Sequence, residues 1–215
     1  MPERVDRTSE FFQSYAQDFD AIYGTQNTWV NRLINRFFRR SMKLRYDLVL
    51  ENCAPLLGKR VLDVGCGPGH YSVALAQRGA GEVLGLDFSP RMLDLAQARA
   101  REAGVAGRCR FELANFITYP LRETFDYAVV IGFMDYMQEP MAVIRKVLQA
   151  TRDRAFFSFP AAGGFLAWQR RLRYKRRCEL FFYSEADLKK LFKEAGIRWE
   201  SQRVARDYFV TVYLQ

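Results

Sequence analysis

The sequence predicts an α/β protein in which helices cover both faces of a mostly parallel, seven-stranded sheet. Two observations lead to this fold class. After residue 58, short apolar runs alternate with stretches of helical periodicity, as they do in βαβ units. The run at 127–131 is apolar at nearly every position, as expected of a strand that is buried on both faces. A chain of 215 residues with 49% hydrophobic residues can form one compact core.

The individual elements follow from the same pattern and from their end signals. Strands are predicted at 60–64, 82–86, 108–113, 125–131, 155–159, 197–204 and 208–214, and helices at 70–78, 90–103, 141–150 and 184–195. Ser89 is placed to cap the helix that begins at Pro90. Ser184 and Asp187 form a capping box with aspartate in place of the usual glutamate, and Gly196 suits the end of that helix.

The first 57 residues predict a helical cap in front of the sheet. Apolar residues between positions 30 and 48 fall largely at helical spacing, and we expect two helices before the first strand. The predicted domains are therefore the cap at 1–57 and a sheet domain at 58–215. An insertion at 161–182 follows the fifth strand of the sheet domain.

Positive charge is concentrated in two stretches. The formal net charge is +9, and residues 30–46 and 165–178 each carry six arginines or lysines and no acid. Such stretches favour an anionic partner: a phosphate-bearing substrate, an anionic membrane surface or nucleic acid. Phe165, Trp168 and Leu172 share one helical face of the second stretch, which would form a lid, a peripheral membrane contact or a nucleic-acid contact. Nucleic acid ranks last because no separate binding module is present.

Cysteine and histidine usage exclude several classes of protein. The four cysteines are far apart without a CxxC pair, which favours neither a disulfide framework nor a zinc site. The single histidine makes a histidine-based metal site unexpected. We expect a cytoplasmic protein without a spanning helix or secretion signal, because no apolar run reaches about 18 residues and the start lacks a hydrophobic region. The oligomeric state stays open.

A glycine-rich turn links the first strand to the following helix. The segment 61–70 reads Val-Leu-Asp-Val-Gly-Cys-Gly-Pro-Gly-His, and its glycines allow a sharp turn and the close approach of a ligand. His70 stands where the dinucleotide fingerprint has glycine or alanine, and the Lys-Ser/Thr pair of a P-loop is absent. Asp87 follows the second strand, where a carboxylate can accept hydrogen bonds from both ribose hydroxyls. The implied ligand is an adenosine without a pyrophosphate, bound to a Rossmann-like sheet.

The segment 63–69 resembles the signature of class I S-adenosylmethionine-dependent methyltransferases. Gly-Leu-Asp-Phe-Ser at 85–89 resembles the second motif of that family, and the likeness extends over about residues 58–215. It implies an enzyme that binds S-adenosyl-L-methionine and transfers its methyl group to a small acceptor, anionic or lipid-like in view of the basic stretches. The alternatives are an RNA-modifying methyltransferase, a NAD-binding domain and a noncatalytic nucleotide-binding Rossmann-like protein.

The resemblance also implies which residues contact the cofactor. It assigns the methionine part to the glycine turn, the ribose to the end of the second strand, the adenine to the segments after the second and third strands, and the acceptor side to the end of the fourth. On this resemblance, the residues at the methionine part are Asp63, Gly65, Cys66, Gly67 and Gly69, and the residue at the ribose is Asp87. The residues at the adenine are Phe88, Met92, Asn115 and Phe116, and those on the acceptor side are Ile131 and Gly132. Asn115 replaces an aspartate that is common in the family, although its amide oxygen can accept the same bond.

The N-terminal run at 11–23 is similar to the cap of many small-molecule methyltransferases. In such a cap, Tyr15 and Tyr23 would shield the cationic sulfur with their aromatic faces, and Arg45 would pair with the cofactor carboxylate. Two closing helices without ligand contacts are the alternative. The N-terminal layout also has a distant likeness to magnesium-protoporphyrin methyltransferases, which are small and membrane-associated, but the segment 158–164 departs from theirs.

Two side chains in the segment that leaves the fourth strand are candidates for catalysis. Methyl transfer depends mainly on alignment and exclusion of water, and a general base helps where the nucleophile must lose a proton. Asp135 and Tyr136 would orient the acceptor or remove its proton. The alternative is that Asp135 caps a turn and that Tyr136 only packs.

Overall fold

A computed structural model describes residues 29–163 and 179–214, with side chains from Ser41 onward. Its strands are β1 (Arg60–Val64), β2 (Glu82–Asp87), β3 (Cys109–Leu113), β4 (Phe125–Val130), β5 (Thr151–Pro160), β6 (Arg198–Val204) and β7 (Asp207–Tyr213). Its helices are α1 (Trp29–Asn52), α2 (His70–Gln77), α3 (Pro90–Glu102), α4 (Pro140–Ala150) and α5 (Glu185–Ala195). Short 3₁₀ turns lie at Ala106–Arg108 and Met134–Tyr136.

The seven strands form one sheet in the order β3-β2-β1-β4-β5-β7-β6. β1 to β5 pair in parallel, whereas β7 runs antiparallel to both β5 and β6. The strand order changes direction between β1 and β4, and ligands of open α/β sheets bind beside the carboxyl ends of the strands at such a point. The predicted mostly parallel, seven-stranded sheet is confirmed.

Helices cover both faces of the sheet, and β4 contributes to both cores. Ala128 and Val130 pack with α4 and α5 on one face, whereas Tyr127 and Val129 pack with α1 and α2 on the other. Each of these four side chains is fully buried. Burying a large apolar side chain contributes about 1.5–3 kcal/mol, so the continuous apolar run of β4 stabilises both layers.

The predicted helix ends are confirmed at three positions. Ser89 Oγ accepts a hydrogen bond from Met92 N (3.4 Å), and Pro90 follows at the first helical position. Ser184 and Asp187 exchange both bonds of a capping box at the start of α5. Gly196 ends α5 with a φ of 65°, a conformation that glycine adopts without steric cost.

The predicted start of β5 needs correction. β5 begins at Thr151, directly after α4, rather than at residue 155. Its first residues, Thr-Arg-Asp-Arg, are polar and all but Thr151 are at least partly exposed, so the apolar run that marked the strand begins only at residue 155. The apolar residues at 30–48 lie in helix α1, as their spacing predicted, whereas the second predicted helix and the cap before residue 29 lie outside the described residues.

Other predicted bounds agree with the structure within one or two residues. In the described ranges, no helix is both long enough and apolar enough to cross a membrane.

Candidate active site at the carboxyl edge of the sheet

The glycine turn is held against the end of β2 by its backbone. Gly65 N and Cys66 N both donate to Leu86 O, at 2.8 Å and 3.1 Å. Gly67 and Gly69 have positive φ values of 52° and 75°, which other residues adopt only with strain. This geometry places the turn at the carboxyl edge of the sheet, above β1 and β2.

The glycines of the turn serve different purposes. A Cβ on Gly69 would come within 2.9 Å of Ala96 Cβ in α3, so this glycine allows α3 to pack closely. A Cβ on Gly65 would come within 2.7 Å of the Phe133 ring. A Cβ on Gly67 would meet no atom of the described residues within 4 Å. Among the three, Gly67 is therefore the one whose backbone faces open space that a ligand can enter.

Asp87 binds the turn directly. Its Oδ2 accepts from Gly67 N and its Oδ1 accepts from Ser89 N, both at 2.9 Å. The side chain is largely buried, and burial raises its pKa although these backbone N–H groups oppose the shift. Each carboxylate oxygen can accept a further bond. The assignment of Asp87 to a ribose stays a prediction, and its bond to Gly67 was not foreseen.

Asp63 and Cys66 lie beneath the turn. The Asp63 carboxylate is 2% exposed and accepts a bond of 2.6 Å from Ser72 Oγ, which ties β1 to α2. Burial raises the pKa of Asp63 to about 7, and the Ser72 bonds counteract this only in part. Burial also raises the pKa of the Cys66 thiol. The predicted contacts of both residues with the methionine part of a cofactor stay predictions.

The residues assigned to the adenine come together beside Asp87. Ala114 N donates to Asp87 O (2.8 Å), which brings the loop after β3 to the end of β2. In that loop Asn115 Oδ1 accepts from Ile117 N (3.0 Å), and Phe116 is 3% exposed. Met92 in α3 is equally buried, whereas Phe88 is half-buried. Their contacts with an adenine stay predictions.

The end of β4 forms the other side of the edge. Ile131 and Gly132 are half-buried, and the Phe133 ring that follows lies edge-on to Phe116, with ring centroids 6.1 Å apart. Because the same ring lies against Gly65, it connects the glycine turn with the adenine loop. Phe133 was not among the predicted site residues.

Asp135 and Tyr136 lie in the 3₁₀ turn that follows β4. Asp135 is 3% exposed, and its backbone oxygen accepts from Phe181 N (2.9 Å). Tyr183 donates to Met137 O (3.2 Å), and burial, together with the charge of Asp135, raises the pKa of this tyrosine. Tyr136 is half-buried. The catalytic roles of Asp135 and Tyr136 stay predictions.

Arg45 is bound by protein groups in the structure. Its Nη1 lies 3.2 Å from Asp207 Oδ2 and 3.4 Å from Ser158 Oγ. Ser41 Oγ also donates to Asp207 (3.3 Å), and Gly132 N donates to Ser158 Oγ (2.8 Å). This network joins α1, β5 and β7 to Gly132 in the loop after β4. The contact of Arg45 with a cofactor carboxylate stays a prediction.

Sequence reasoning did not identify Ser41, Ser158 or Asp207. Ser41 and Asp207 are 166 residues apart in the chain, and Arg45 and Ser158 are 113 apart, so no local motif joins them. Tyr15 and Tyr23 lie outside the described residues, as does the whole basic stretch at 165–178. Among the described residues, no cluster of histidine, cysteine or acidic side chains could hold a metal ion.

Comparisons with known proteins agree with this arrangement. Residues 57–196 match a family described as methyltransferase domain. Ubiquinone biosynthesis O-methyltransferase of Pseudomonas fluorescens is 37% identical over 105 residues, which are 48% of this chain and 45% of that protein. The protein of the same name from Aliivibrio fischeri is 34% identical over 117 residues, 54% of this chain and 50% of that protein. The chain therefore spans about half the length of these relatives.

A solved structure shares the fold over nearly the whole chain. Magnesium protoporphyrin IX methyltransferase from Synechocystis, crystallised with bound S-adenosylhomocysteine (SAH), superposes with a TM-score of 0.74 at 24% identity, covering 98% of this chain and 100% of that one. At this identity the likeness concerns the fold. The family match itself covers well over half of the sequence and includes the glycine turn, Asp87 and the loop after β4. The chain therefore belongs to the methyltransferase domain family, as the motif at 63–69 predicted.

Proposed function

We propose that this chain is an S-adenosyl-L-methionine-dependent methyltransferase that acts on a small-molecule acceptor. One observation carries the proposal. Gly67 N is bound to the Asp87 carboxylate, and the space that a Cβ of Gly67 would enter is open. A backbone turn with open space and a carboxylate at the end of β2 suit an adenosine-containing ligand. Family membership supplies the reaction class.

The residues at this edge fit such a cofactor by their chemistry. Asp87 offers two oxygens that each accept one backbone N–H and can each accept a ribose hydroxyl. Met92 and Phe116 are buried apolar side chains on the segments that flank Asp87, and they would pack against a base. The turn at Gly65, with Ile131 and Gly132 across from it, would hold the methionine part.

When bound, S-adenosylmethionine supplies a methyl group on a positively charged sulfur, which is a good leaving group. The chain's own residues then need mainly to bind, to align and to exclude water. We assign the acceptor to the loop at 132–137, where Asp135 and Tyr136 would orient it or receive its proton. Asp135 is suited to the latter role only if the acceptor reaches its buried carboxylate.

The names of the relatives narrow the class of acceptor. Both are O-methyltransferases of ubiquinone biosynthesis, which favours an oxygen nucleophile on a small molecule over RNA. The excess of positive charge favours an acceptor that is anionic or that is presented at an anionic membrane surface. The proposal also includes Tyr15 and Tyr23 as residues of the cap. It further includes the domain division at residue 57 and a cytoplasmic location.

Binding of SAH to the purified protein tests the proposal. Gly67→Ala should weaken SAH binding by about tenfold or more, which corresponds to about 1.4 kcal/mol, because the new methyl group enters the open space beside the turn. Isothermal titration calorimetry measures the dissociation constant directly. The wild type should bind SAH and should not bind NAD.

Gly104→Ala is a matched control for the strain of the substitution. Gly104 has a φ of 69° in the turn after α3, and its Cβ would also meet no atom within 4 Å. A left-handed conformation costs a non-glycine residue about 1–2 kcal/mol, so both variants should lose similar stability. Only Gly67→Ala should lose affinity for SAH. Binding of NAD but not SAH by the wild type would contradict the proposed function, and equal SAH affinity of both variants would contradict the placement of the ligand.

A further inference from the structure

Lys146 in α4 binds the backbone of the loop after β3. Its Nζ lies 2.6 Å from Phe116 O, 3.0 Å from Ile117 O and 2.5 Å from Tyr119 O. A lysine ammonium group has three N–H donors and no acceptor. The three carbonyl groups therefore use its full hydrogen-bonding capacity, and they all belong to one short loop.

The same ammonium group lies over the ring of Phe116. The distance from Nζ to the ring centroid is 5.0 Å, within the range of a cation–π interaction. Phe116 is 3% exposed, so its ring is fixed between the ammonium group and the ring of Phe133. Lys146 thus holds both the backbone and a side chain of this loop.

The loop has few other hydrogen bonds to the rest of the described domain. Thr118 N and Tyr119 N donate to Asn115 O, and Ile117 N donates to Asn115 Oδ1, but these bonds lie within the loop. Ala114 N anchors its beginning to Asp87 O, and the Tyr119 hydroxyl donates to Glu112 (2.7 Å) on β3. Phe116 also packs in the core cluster that includes α4, and among the described residues Lys146 supplies the hydrogen bonds that reach this loop from a helix.

We propose that Lys146 is a positioning residue for the adenosine end of the cofactor site. It acts through the loop, because its three bonds fix the carbonyl groups that follow Asn115 and its charge fixes the ring of Phe116. Loss of these bonds frees the loop, so that the adenine is held less firmly and its amino group is distinguished less well. This inference rests on the proposed function, since it takes Asn115 and Phe116 as the residues beside the adenine.

Lys146→Met tests the inference because methionine keeps an unbranched apolar side chain that is one atom shorter and removes all three donors. The dissociation constant for SAH, measured by calorimetry, should rise about tenfold, because bonds to a charged donor are lost. The preference for SAH over S-inosylhomocysteine, in which an oxygen replaces the adenine amino group, should also fall. A residue that only stabilised the fold would lower the melting temperature without changing this preference.

Arg145→Met is the matched control on the same helix. Arg145 pairs with Glu194 of α5 at 2.8 Å, away from the described part of the loop, so its loss should change neither the SAH affinity nor the preference for adenine. In an Asn115→Ala background, Lys146→Met should have a smaller effect on SAH affinity than in the wild type, because both changes act on one loop. If Lys146→Met does not fold, Lys146→Gln, which keeps two N–H donors, replaces it in the measurements of SAH affinity and adenine preference.

The outcomes separate the two proposals. A wild type that binds no SAH contradicts the proposed function itself. A wild type that binds SAH, with unchanged affinity and unchanged adenine preference in the Lys146 variant, overturns the inference about Lys146 and leaves the proposed function intact.

Discussion

The carboxyl edge of the sheet consists of two halves that are built in different ways. Over β1 and β2, the turn is fixed by backbone groups and by Asp87, whose partners Gly67 and Ser89 are 20 and 2 residues away in the chain. Over β4, β5 and β7, the loop at Gly132 is fixed by a side-chain network whose members are up to 166 residues apart. The first half depends on glycines and one acid, the second on a buried ion pair.

This difference predicts which residues can be substituted without unfolding the domain and which cannot. In the first half, a substitution changes local backbone geometry and the space for a ligand. In the second, a substitution leaves a buried charge or a buried N–H without a partner, which destabilises the whole domain. Three measurements test the comparison.

The largest effect is expected for Asp207→Ala. Asp207 is 1% exposed and lies 3.2 Å from the Arg45 guanidinium, so its removal leaves a buried positive charge. The free energy of unfolding in urea should fall by about 3–5 kcal/mol. Asp47→Ala breaks the exposed pair of Lys43 and Asp47 on α1, the helix that carries Arg45. This change should leave the free energy of unfolding nearly unchanged. Restoration of stability in the double variant Arg45→Met/Asp207→Leu would attribute the loss to the unpaired charge.

A pH-dependent effect is expected from Asp63 beneath the glycine turn. Its pKa is raised from 3.8 to about 7 in the folded protein, so the folded state binds its proton more tightly than the unfolded state does. The free energy of unfolding should therefore fall as the pH rises from about 4 to about 7, by at most about 4 kcal/mol from this group. Asp63→Asn should remove that part of the pH dependence, as urea unfolding at several pH values would show.

Ser72→Ala provides a control for the same carboxyl group. The Ser72 hydroxyl lowers the pKa of Asp63, so its removal should raise that pKa and shift the loss of stability to higher pH. Identical pH profiles for the wild type and Asp63→Asn would show that Asp63 has an ordinary pKa, and the contrast between the two halves would then be weaker.

The smallest of the three effects is expected for Ser158→Ala. This change removes the acceptor for Gly132 N and leaves a partly buried N–H unpaired, at a cost of about 1 kcal/mol. Hydrogen exchange of the Gly132 amide should become faster, whereas exchange in the glycine turn should not change. Ser201→Ala on β6, at an exposed serine, should alter neither quantity. Faster exchange in both halves would mean that they are not independent.

The two halves also differ in how far the sequence predicted them. The glycine turn, Asp87 and the caps at Ser89 and Ser184 are local signals, and the structure places them close to where they were expected. The network of Arg45 and Asp207 has no local signal, because its members are ordinary polar residues until the fold brings them together. The polar first half of β5 was missed for a related reason: its place in the sheet is set by pairing with β4 and β7 rather than by its own hydrophobicity.

The position of β7 between β5 and β6 has a consequence for how the molecule assembles. Within the part of the chain that the structure describes, β6 pairs with β7 alone, and β7 follows it in the chain. A ribosome that has translated β6 has therefore not yet produced the strand that joins it to the sheet. Asp207, the first residue of β7, meets α1 at the same late stage, so the seam between the two ends of the described chain closes last. Until β7 is made, β5 lacks the partner strand that covers this edge, and an unpaired strand edge is a template for pairing with other chains.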